Sequence, residues 1–249
     1  MSPRVRLLVL AVGGIALAVL VVPALVGLPH FGGSVHPYRT HAVVASVAHH
    51  SANVISSINF DQRGLDTLGE ESIFLASVLG VVVLLRPAEE ETETASLGGG
   101  PVLESTKLAG YAMVPITLML GFNIVTHGHL TPGGGFQGGV VLGTGIHLLY
   151  VAGTYRALQR ARPIQVFDWG EAIGAGAFAC LGIASLAMTG AFLAAVIPTA
   201  PLGHLFSAGT VPLLNGAVGV EVASGTAVLL AKFLEQAIRV RPAAKETEP

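Results

Sequence analysis

Charged residues are scarce in this sequence of 249 residues. Asp, Glu, Lys and Arg make up 11% of it, against roughly 25% in an ordinary soluble domain. So few charges do not cover the surface of a soluble protein of this size. A nucleic-acid-binding protein needs a basic face, which 13 Lys+Arg against 15 Asp+Glu do not offer. We therefore exclude both classes.

Cysteine and the motifs of common enzymes are scarce or absent as well. The single cysteine, Cys180, leaves no intrachain disulfide, Cys-based metal cluster or iron–sulfur ligand set. No Ser–His–Asp arrangement, HExxH zinc motif or phosphate-binding loop occurs. We therefore predict neither an enzyme nor a bound cofactor or metal.

The sequence is rich in long apolar runs, with 52% hydrophobic residues and a mean hydropathy of +0.69. A helix needs about 20 apolar residues to cross the hydrocarbon of a bilayer. The runs are continuous rather than alternating, which excludes transmembrane strands. We predict an all-α, polytopic protein of the cell membrane with six spans, at about Leu7–Leu28, Thr67–Leu85, Leu108–Thr126, Phe136–Tyr155, Trp169–Ile197 and Pro212–Phe233.

The basic residues predict which way the spans run. The first apolar run has about 22 residues, whereas the hydrophobic region of a secretory signal peptide has roughly 7–15. A retained membrane anchor is therefore favoured over a cleaved signal peptide. With the N-terminus and the C-terminus both cytoplasmic, only Arg39 and Arg63 lie outside. The other Lys and Arg residues then lie inside: Arg4, Arg6, Arg86, Lys107, Arg156, Arg160, Arg162, Lys232, Arg239, Arg241 and Lys245.

The composition predicts four parts in the chain. Residues 1–87 hold two spans, and residues 88–106 form an acidic, Gly-rich cytoplasmic linker. Residues 107–235 hold four spans, and residues 236–249 form a polar tail. Between the first two spans, residues 41–60 are too polar to cross a bilayer and fit a helix in the outer interface.

Two polar residues fall deep within predicted spans. A carboxylate in hydrocarbon is costly unless it is protonated, paired or hydrated. Glu221 lies near the middle of the sixth span, and His147 lies at a similar depth in the fourth. A proton relay between them is one hypothesis. The alternatives are a structural role for Glu221 and ordinary packing for His147, and packing is favoured for His147.

Glu70 and Glu71 open the second span. Thr67 to Glu70 match a capping box, in which Thr and Glu satisfy backbone N–H groups at a helix start. Only 14 apolar residues follow Glu71, about 21 Å of helix, so the start of this helix must lie below the outer surface. We predict that at least one of the two glutamates lies at the mouth of an ion pathway.

A glycine-rich loop joins the third and fourth spans. It formally matches the dinucleotide motif G-x-G-x-x-G, but helices rather than strands flank it, so we reject a nucleotide site. Instead, the loop permits a tight helical hairpin, and two histidines alone are a weak signal for metal. Its notable residues are His127, His129, Pro132, Gly133, Gly134, Gly135, Phe136, Gly138 and Gly139.

Small residues mark the fifth span. Gly176, Cys180 and Ala184 follow one another at four-residue spacing, which lets another helix approach closely. We therefore predict helix packing at this stripe and a core position for Cys180 rather than a catalytic one.

The loop sequence HGHLTPGGGFQGGVV resembles the signature of the B subunit (MnhB/MrpB) of Mrp-type multisubunit Na+/H+ antiporters. Related subunits occur in energy-converting membrane hydrogenases. The resemblance extends over about Lys107 to Lys232 and includes the SAGTVPLLN segment.

A second stretch, NFDQRGLDTLGEESIF, resembles the small E subunit (MbhE) of membrane-bound hydrogenase and the C-terminal region of the MrpA protein of the same antiporters. Gln62 departs from that pattern, where an aromatic residue is expected. The resemblance implies a two-helix unit of this kind fused to a four-helix B unit, and it implies Glu70 as the carboxylate of an ion pathway. The residues that keep the pattern are Asp61, Arg63, Gly64, Asp66, Thr67, Gly69 and Glu70.

These resemblances imply an accessory subunit of an Mrp-type antiporter that helps form a path for Na+ and H+. Its expected partners are the other antiporter subunits and the lipid bilayer, with no nucleic acid. Glu70, Glu71, Glu221 and His147 are the expected pathway residues. The alternatives are a structural assembly subunit without an ion path, and a subunit of a related hydrogenase-type complex.

Overall fold

The computed structural model describes residues 3–28, 32–86, 102–152 and 164–238. The chain divides into two compact units, Met1–His41 and Ala42–Pro249. The predicted boundary between a two-helix and a four-helix part does not coincide with this division. The second predicted span and the four later helices all belong to the unit Ala42–Pro249.

The described residues form helices and contain no strand, as the apolar runs predicted. A π-helical segment, Ile58–Gln62, joins α3 to α4. The helices are α1 Pro3–Val26, α2 Pro37–Ala48, α3 Val54–Ser57, α4 Gly64–Leu84, α5 Glu104–Thr126, α6 Gly135–Ala152, α7 Ile164–Thr189 and α8 Val211–Ile238.

Five of these helices are long and apolar enough to cross a membrane, namely α1, α4, α5, α7 and α8. The fourth predicted span corresponds to α6, which has 18 described residues and ends where the described range ends. Residues 153–155 of that prediction, the basic residues from Arg156 to Arg162, and most of the predicted linker lie outside the described residues. The polar tail from residue 239 onward does so too.

Helix α8 is the centre of the unit Ala42–Pro249, and most of its membrane-length stretch is buried. Glycines bring the neighbouring helices close to it. A Cβ on Gly139 of α6 would lie 3.0 Å from the carbonyl oxygen of Gly219, and one on Gly225 would lie 2.5 Å from the ring of Phe74 in α4. At Gly139 two helix backbones are in close contact, and at Gly225 the absence of a side chain makes room for the Phe74 ring.

The order of these contacts gives the relative directions of the helices. Gly139 of α6 faces Val222, and Gly143 faces Thr226, so α6 and α8 run in the same direction. Residues 170 and 174 of α7 instead face residues 224 and 221 of α8, so α7 runs in the opposite direction. Helices α6, α7 and α8 therefore alternate in direction.

Three predictions about local structure are wrong. Residues 41–60 do not form one helix, because α2 ends at Ala48 and α3 begins only at Val54. The predicted capping box also fails, because α4 begins at Gly64 and the Thr67 hydroxyl donates instead to the carbonyl oxygen of Asn59 at 2.7 Å.

The third wrong prediction is the end of the fifth span. The apolar run continues to residue 197, but α7 ends at Thr189 because Gly190 takes a left-handed conformation with φ of 77°. The apolar residues that follow form a loop, and Leu193 packs into the core beside Phe60 and Phe178. An apolar run therefore marks burial here, not helix.

Candidate functional site

Two glutamates from distant parts of the sequence meet at the centre of the bundle. Glu71 of α4 is 1% exposed, and Glu221 of α8 is 0% exposed. Their carboxyl groups are close enough to interact electrostatically. None of their four oxygen atoms has a donor among the described residues. Because two ionised carboxylates only accept hydrogen bonds, one shared proton or a bound cation would satisfy this arrangement.

A glycine on α7 shapes the wall opposite this pair. A Cβ on Gly174 would lie 2.6 Å from the Cβ of Glu221 and 2.7 Å from its backbone nitrogen. The backbone of α7 therefore passes directly over Glu221, which leaves no room there for water or lipid.

A third buried glutamate was missing from the sequence prediction. Glu171 of α7 is 4% exposed, and its Oε1 atom has no hydrogen-bond partner among the described residues. It lies within electrostatic range of Glu221 and of Asp168. The signal was present, because Glu171 falls inside the predicted fifth span, as Glu221 falls inside the sixth.

A groove of about 670 Å³ lies between α4 and α7 and opens to the surface of the chain. Both Glu71 and Glu171 line it, and the exposed Ser72 and Asp168 lie along it too. Most of the remaining wall consists of small or aliphatic side chains, including Leu75, Leu79, Ala172, Ala175 and Ala179. The groove therefore connects buried carboxylates to the outside of the bundle.

The other two predicted pathway residues lie apart from the buried pair. Glu70 is exposed on α4, because neighbouring residues on a helix point about 100° apart. His147 is half-buried on α6, and its Nε2 atom is 3.3 Å from the carbonyl oxygen of Thr226. The structure therefore pairs Glu221 with Glu71 rather than with His147, and the contact of His147 is a packing contact with the backbone of α8.

The glycine-rich loop is held by two asparagines. Asn215, which is 0% exposed, accepts a hydrogen bond from the backbone nitrogen of Gly135 at 2.8 Å. It donates to the Ser56 hydroxyl at 3.0 Å and to the Val211 carbonyl oxygen at 3.1 Å. One side chain thereby joins the start of α6, the start of α8 and α3.

Asn53 makes the second set of bonds to the loop. Its side chain donates to the carbonyl oxygens of Gly128 at 2.7 Å and Thr131 at 3.0 Å. Its backbone nitrogen donates to the carbonyl oxygen of His129 at 3.0 Å. The segment before α4 is therefore fastened to the loop between α5 and α6, and the two predicted parts of the chain contact each other.

The loop glycines fulfil the predicted role in a tight hairpin. Gly133 and Gly134 have φ of 151° and 146°, values that favour glycine. A Cβ on Gly138 would lie 2.8 Å from the carbonyl oxygen of Gly121, so α5 and α6 are in close contact. Pro132 is exposed at the turn, while Phe136 packs against the core.

The two histidines of the loop differ in environment. The Nδ1 atom of His127 is 3.1 Å from the Asn123 carbonyl oxygen. His129 is 0% exposed, and its ring lies near backbone groups of His204 and Leu205 without a hydrogen bond of normal geometry. Burial lowers the pKa of His129 below its usual range. Among the described residues, no three His, Cys, Asp or Glu side chains are placed to hold a metal ion.

The stripe of small residues on α7 does not lie in the core. Cys180 is exposed, and nothing lies within 4 Å of a Cβ placed on Gly176. The predicted core position of Cys180 is therefore wrong. The glycines of α7 that pack against α8 are Gly170 and Gly174.

Five membrane-length helices and buried carboxylates within them define a multi-pass membrane protein. A family model described as a domain related to the MnhB subunit of Na+/H+ antiporter matches residues 105–228. Through these residues the chain belongs to the MnhB-related family. The predicted family is thereby confirmed.

Two relatives extend over about three quarters of the chain. An uncharacterized protein of Methanocaldococcus jannaschii is 28% identical over 210 residues, which are 76% of each protein. A protein of Rhizobium meliloti, described as a probable K(+)/H(+) antiporter A/B subunit, is 27% identical over 210 residues. That match covers 75% of this chain but only 21% of the Rhizobium protein.

Two solved structures share the fold. A chain of the membrane-bound sulfane sulfur reductase, an archaeal respiratory membrane complex, is similar with a TM-score of 0.68 and 24% identity. The similarity covers 92% of this chain and 98% of that one. A chain of the Mrp complex from Dietzia sp. DQ12-45-1b gives a TM-score of 0.67 and 22% identity, over 100% of this chain and 27% of that one.

Proposed function

We propose that this protein is an accessory subunit of a multisubunit monovalent cation/proton antiporter, and that Glu71 and Glu221 carry an ion through its membrane region. The family match and the antiporter relative support the complex. The buried carboxyl pair is the observation that supports the ion path.

The comparisons with known proteins support membership of a hetero-oligomeric membrane complex. The similar chains named above come from the Mrp complex and from a respiratory membrane complex. The protein itself contributes no enzymatic step in this proposal, and it requires no cofactor. The combined A/B designation of the Rhizobium relative also supports the hypothesis that residues 1–87 are an A-type unit fused to a B-type unit.

The physical basis for ion binding is that the carboxyl groups of Glu71 and Glu221 are buried without hydrogen-bond donors among the described residues. Two ionised carboxylates that face each other in a buried position repel each other and lack hydrogen-bond donors. One proton or one monovalent cation held between them relieves both costs. Exchange of that ion for another, as neighbouring subunits change access to the site, is the contribution of this chain to antiport.

Glutamine variants of the two buried glutamates provide the test, with Glu70, the neighbour of Glu71 on α4, as the control. Glu71→Gln and Glu221→Gln, expressed in the assembled complex, remove the charge while keeping the shape of the side chain. We expect each to lower antiport in inverted vesicles by at least about tenfold, since proton transfer by a positioned side chain contributes about 10²–10⁴. Glu70→Gln, the matched control on the exposed face, is expected to retain antiport.

Assembly must be measured beside activity. Blue-native electrophoresis separates loss of transport from loss of the complex. Wild-type antiport in both Glu71→Gln and Glu221→Gln would end the proposal. A loss confined to Glu70→Gln would instead support the carboxylate that the family resemblance implied.

A second candidate is a subunit of a redox-linked membrane complex. The observation that favours it is the match over 98% of a chain from the sulfane sulfur reductase complex. Any redox centre would then belong to other subunits. Purification of the native complex, followed by identification of its subunits, distinguishes an antiporter alone from an oxidoreductase assembly.

A further inference from the structure

We propose that Glu171, together with the groove between α4 and α7, forms the half of a proton route that leads from the buried pair to the membrane surface where α7 begins. This inference rests on the proposed function of Glu71 and Glu221. It adds the direction of the route, its next carboxylate and the ion that uses it.

The first observation is the position of Glu171 between a buried and an exposed carboxylate. Glu171 is within electrostatic range of Glu221 on one side and of Asp168 on the other. Exposure rises along this series, from 0% at Glu221 through 4% at Glu171 to the exposed Asp168. The Oε1 atom of Glu171 has no partner among the described residues, so it is not held by a structural hydrogen bond.

The packing of α7 on α8 fixes the order of these groups along the membrane normal. Gly174 faces Glu221, and Gly170 faces Ser224. Glu171 therefore lies about one turn from Glu221 toward the beginning of α7. Asp168 is three residues further along, or about 4.5 Å at 1.5 Å per residue. With the proposed topology, this end of the bundle is cytoplasmic.

The groove supplies the space that a proton route requires. Both Glu71 and Glu171 line it, so the groove extends from the buried pair to the next carboxylate of the proposed route. Its volume of about 670 Å³ far exceeds the roughly 30 Å³ that one water occupies in the liquid. A short water chain along the carboxylates therefore fits beside the aliphatic wall.

The step itself is a simple transfer of a proton. The Glu71–Glu221 pair releases a proton, which binds the Glu171 carboxylate directly or through a water. Glu171 then passes it to Asp168, which exchanges it with bulk water. Only O–H bonds form and break, and each carboxylate returns to its starting state. We choose a proton over a chelated metal because no three such side chains converge as metal ligands among the described residues.

The first test compares two substitutions of Glu171, one that removes the carboxyl group and one that keeps it. In the assembled complex, Glu171→Gln is expected to lower antiport in inverted vesicles by at least about tenfold, while Glu171→Asp retains a large part of it. Ser77→Ala is the matched control, because Ser77 is exposed on α4 outside the groove, and it is expected to leave antiport unchanged.

The outcomes separate this inference from the proposed function. If Glu171→Gln is as active as wild type while Glu71→Gln is inactive, the route through Glu171 is refuted and the buried pair stands. If none of the glutamine variants, at 71, 171 or 221, loses activity, the proposed function itself fails. Loss of activity in Glu171→Asp as well as in Glu171→Gln would also refute a relay, because the shorter carboxylate still carries a proton.

The second test asks whether the groove holds water, and it does not depend on how Glu171 variants fold. In a Cys180→Ala background, Ala175→Cys places a thiol in the groove. Ile183→Cys is the control, because Ile183 is 61% exposed on α7 and does not line the groove. A membrane-impermeant cationic thiosulfonate is applied to inverted and to right-side-out vesicles that contain the whole complex.

We expect the Ala175→Cys variant to react in inverted vesicles only and the Ile183→Cys variant to react in neither. Absence of reaction at residue 175 from both sides would mean that lipid or a partner helix fills the groove. Reaction from the opposite side alone would reverse the direction of the route. Either result overturns the inference.

Discussion

The contact between α7 and α8 gives a prediction whose size follows from the structure. Gly174→Ala adds a methyl group 2.6 Å from the Cβ of Glu221 and 2.7 Å from the carbonyl oxygen of Ala217. Because a backbone atom cannot turn aside as a flexible side chain does, α7 must shift away from α8. Overpacking of this kind costs about 1–3 kcal/mol.

Gly176→Ala is the matched control for this change. It lies on the same helix, two residues away, and nothing lies within 4 Å of the added Cβ. Both variants gain the same helix propensity, about 1 kcal/mol in favour of Ala. The difference in stability between them therefore isolates the contact with α8, at about 1–3 kcal/mol in favour of Gly176→Ala.

Thermal unfolding of the purified chain in detergent measures this difference. At about 2–4 °C per kcal/mol for a chain of this size, Gly174→Ala should melt roughly 2–12 °C below Gly176→Ala. In the assembled complex, Gly174→Ala should also lower antiport, because it moves Glu221 away from its neighbours. Equal melting temperatures for the two variants would refute the packing of α7 over Glu221.

Two further predictions concern the loop end of the bundle. Asn215→Ala removes the hydrogen bond that joins Gly135 to α8 and leaves buried groups unpaired. It should therefore lower the free energy of unfolding, measured by thermal unfolding, by about 1–3 kcal/mol. An unchanged melting temperature would contradict the role of Asn215 in holding the loop. Burial lowers the pKa of His129 in the folded state, so the unfolded chain binds the proton more readily and stability should fall as pH falls through 6.5, its unfolded value. His129→Asn should reduce this pH dependence more than the matched control His127→Asn, and equal pH profiles for the two variants would refute the assignment.

The helical spans illustrate what an apolar pattern predicts well. A run of about 20 apolar residues must form its backbone hydrogen bonds within itself in a bilayer, so α1, α4, α5 and α8 follow from the sequence to within a few residues. The pattern fails at the end of α7. There the run continues to residue 197, but Gly190 turns the chain, and Leu193 fills the core from a loop.

The candidate site depends more on the tertiary structure than the spans do. Glu71 and Glu221 are predicted as candidates because each is a charged residue in an apolar run. The same criterion, applied to the fifth span, also selects Glu171. It does not choose between Glu70 and Glu71, because both lie in the same run. Only the packing of α4 on α8 makes one buried and the other exposed.

By itself the sequence determined the membrane class, the approximate spans and the family resemblance, because hydropathy and a local motif are properties of continuous stretches. The tertiary structure alone decided which carboxyl groups meet. Glu71 and Glu221 are 150 residues apart, and His147, the partner that depth in the membrane suggested for Glu221, contacts the backbone of Thr226 instead. Glycines bring α6 and α7 close to α8, and the rotation of each packed helix about its axis, rather than depth alone, places one side chain beside another.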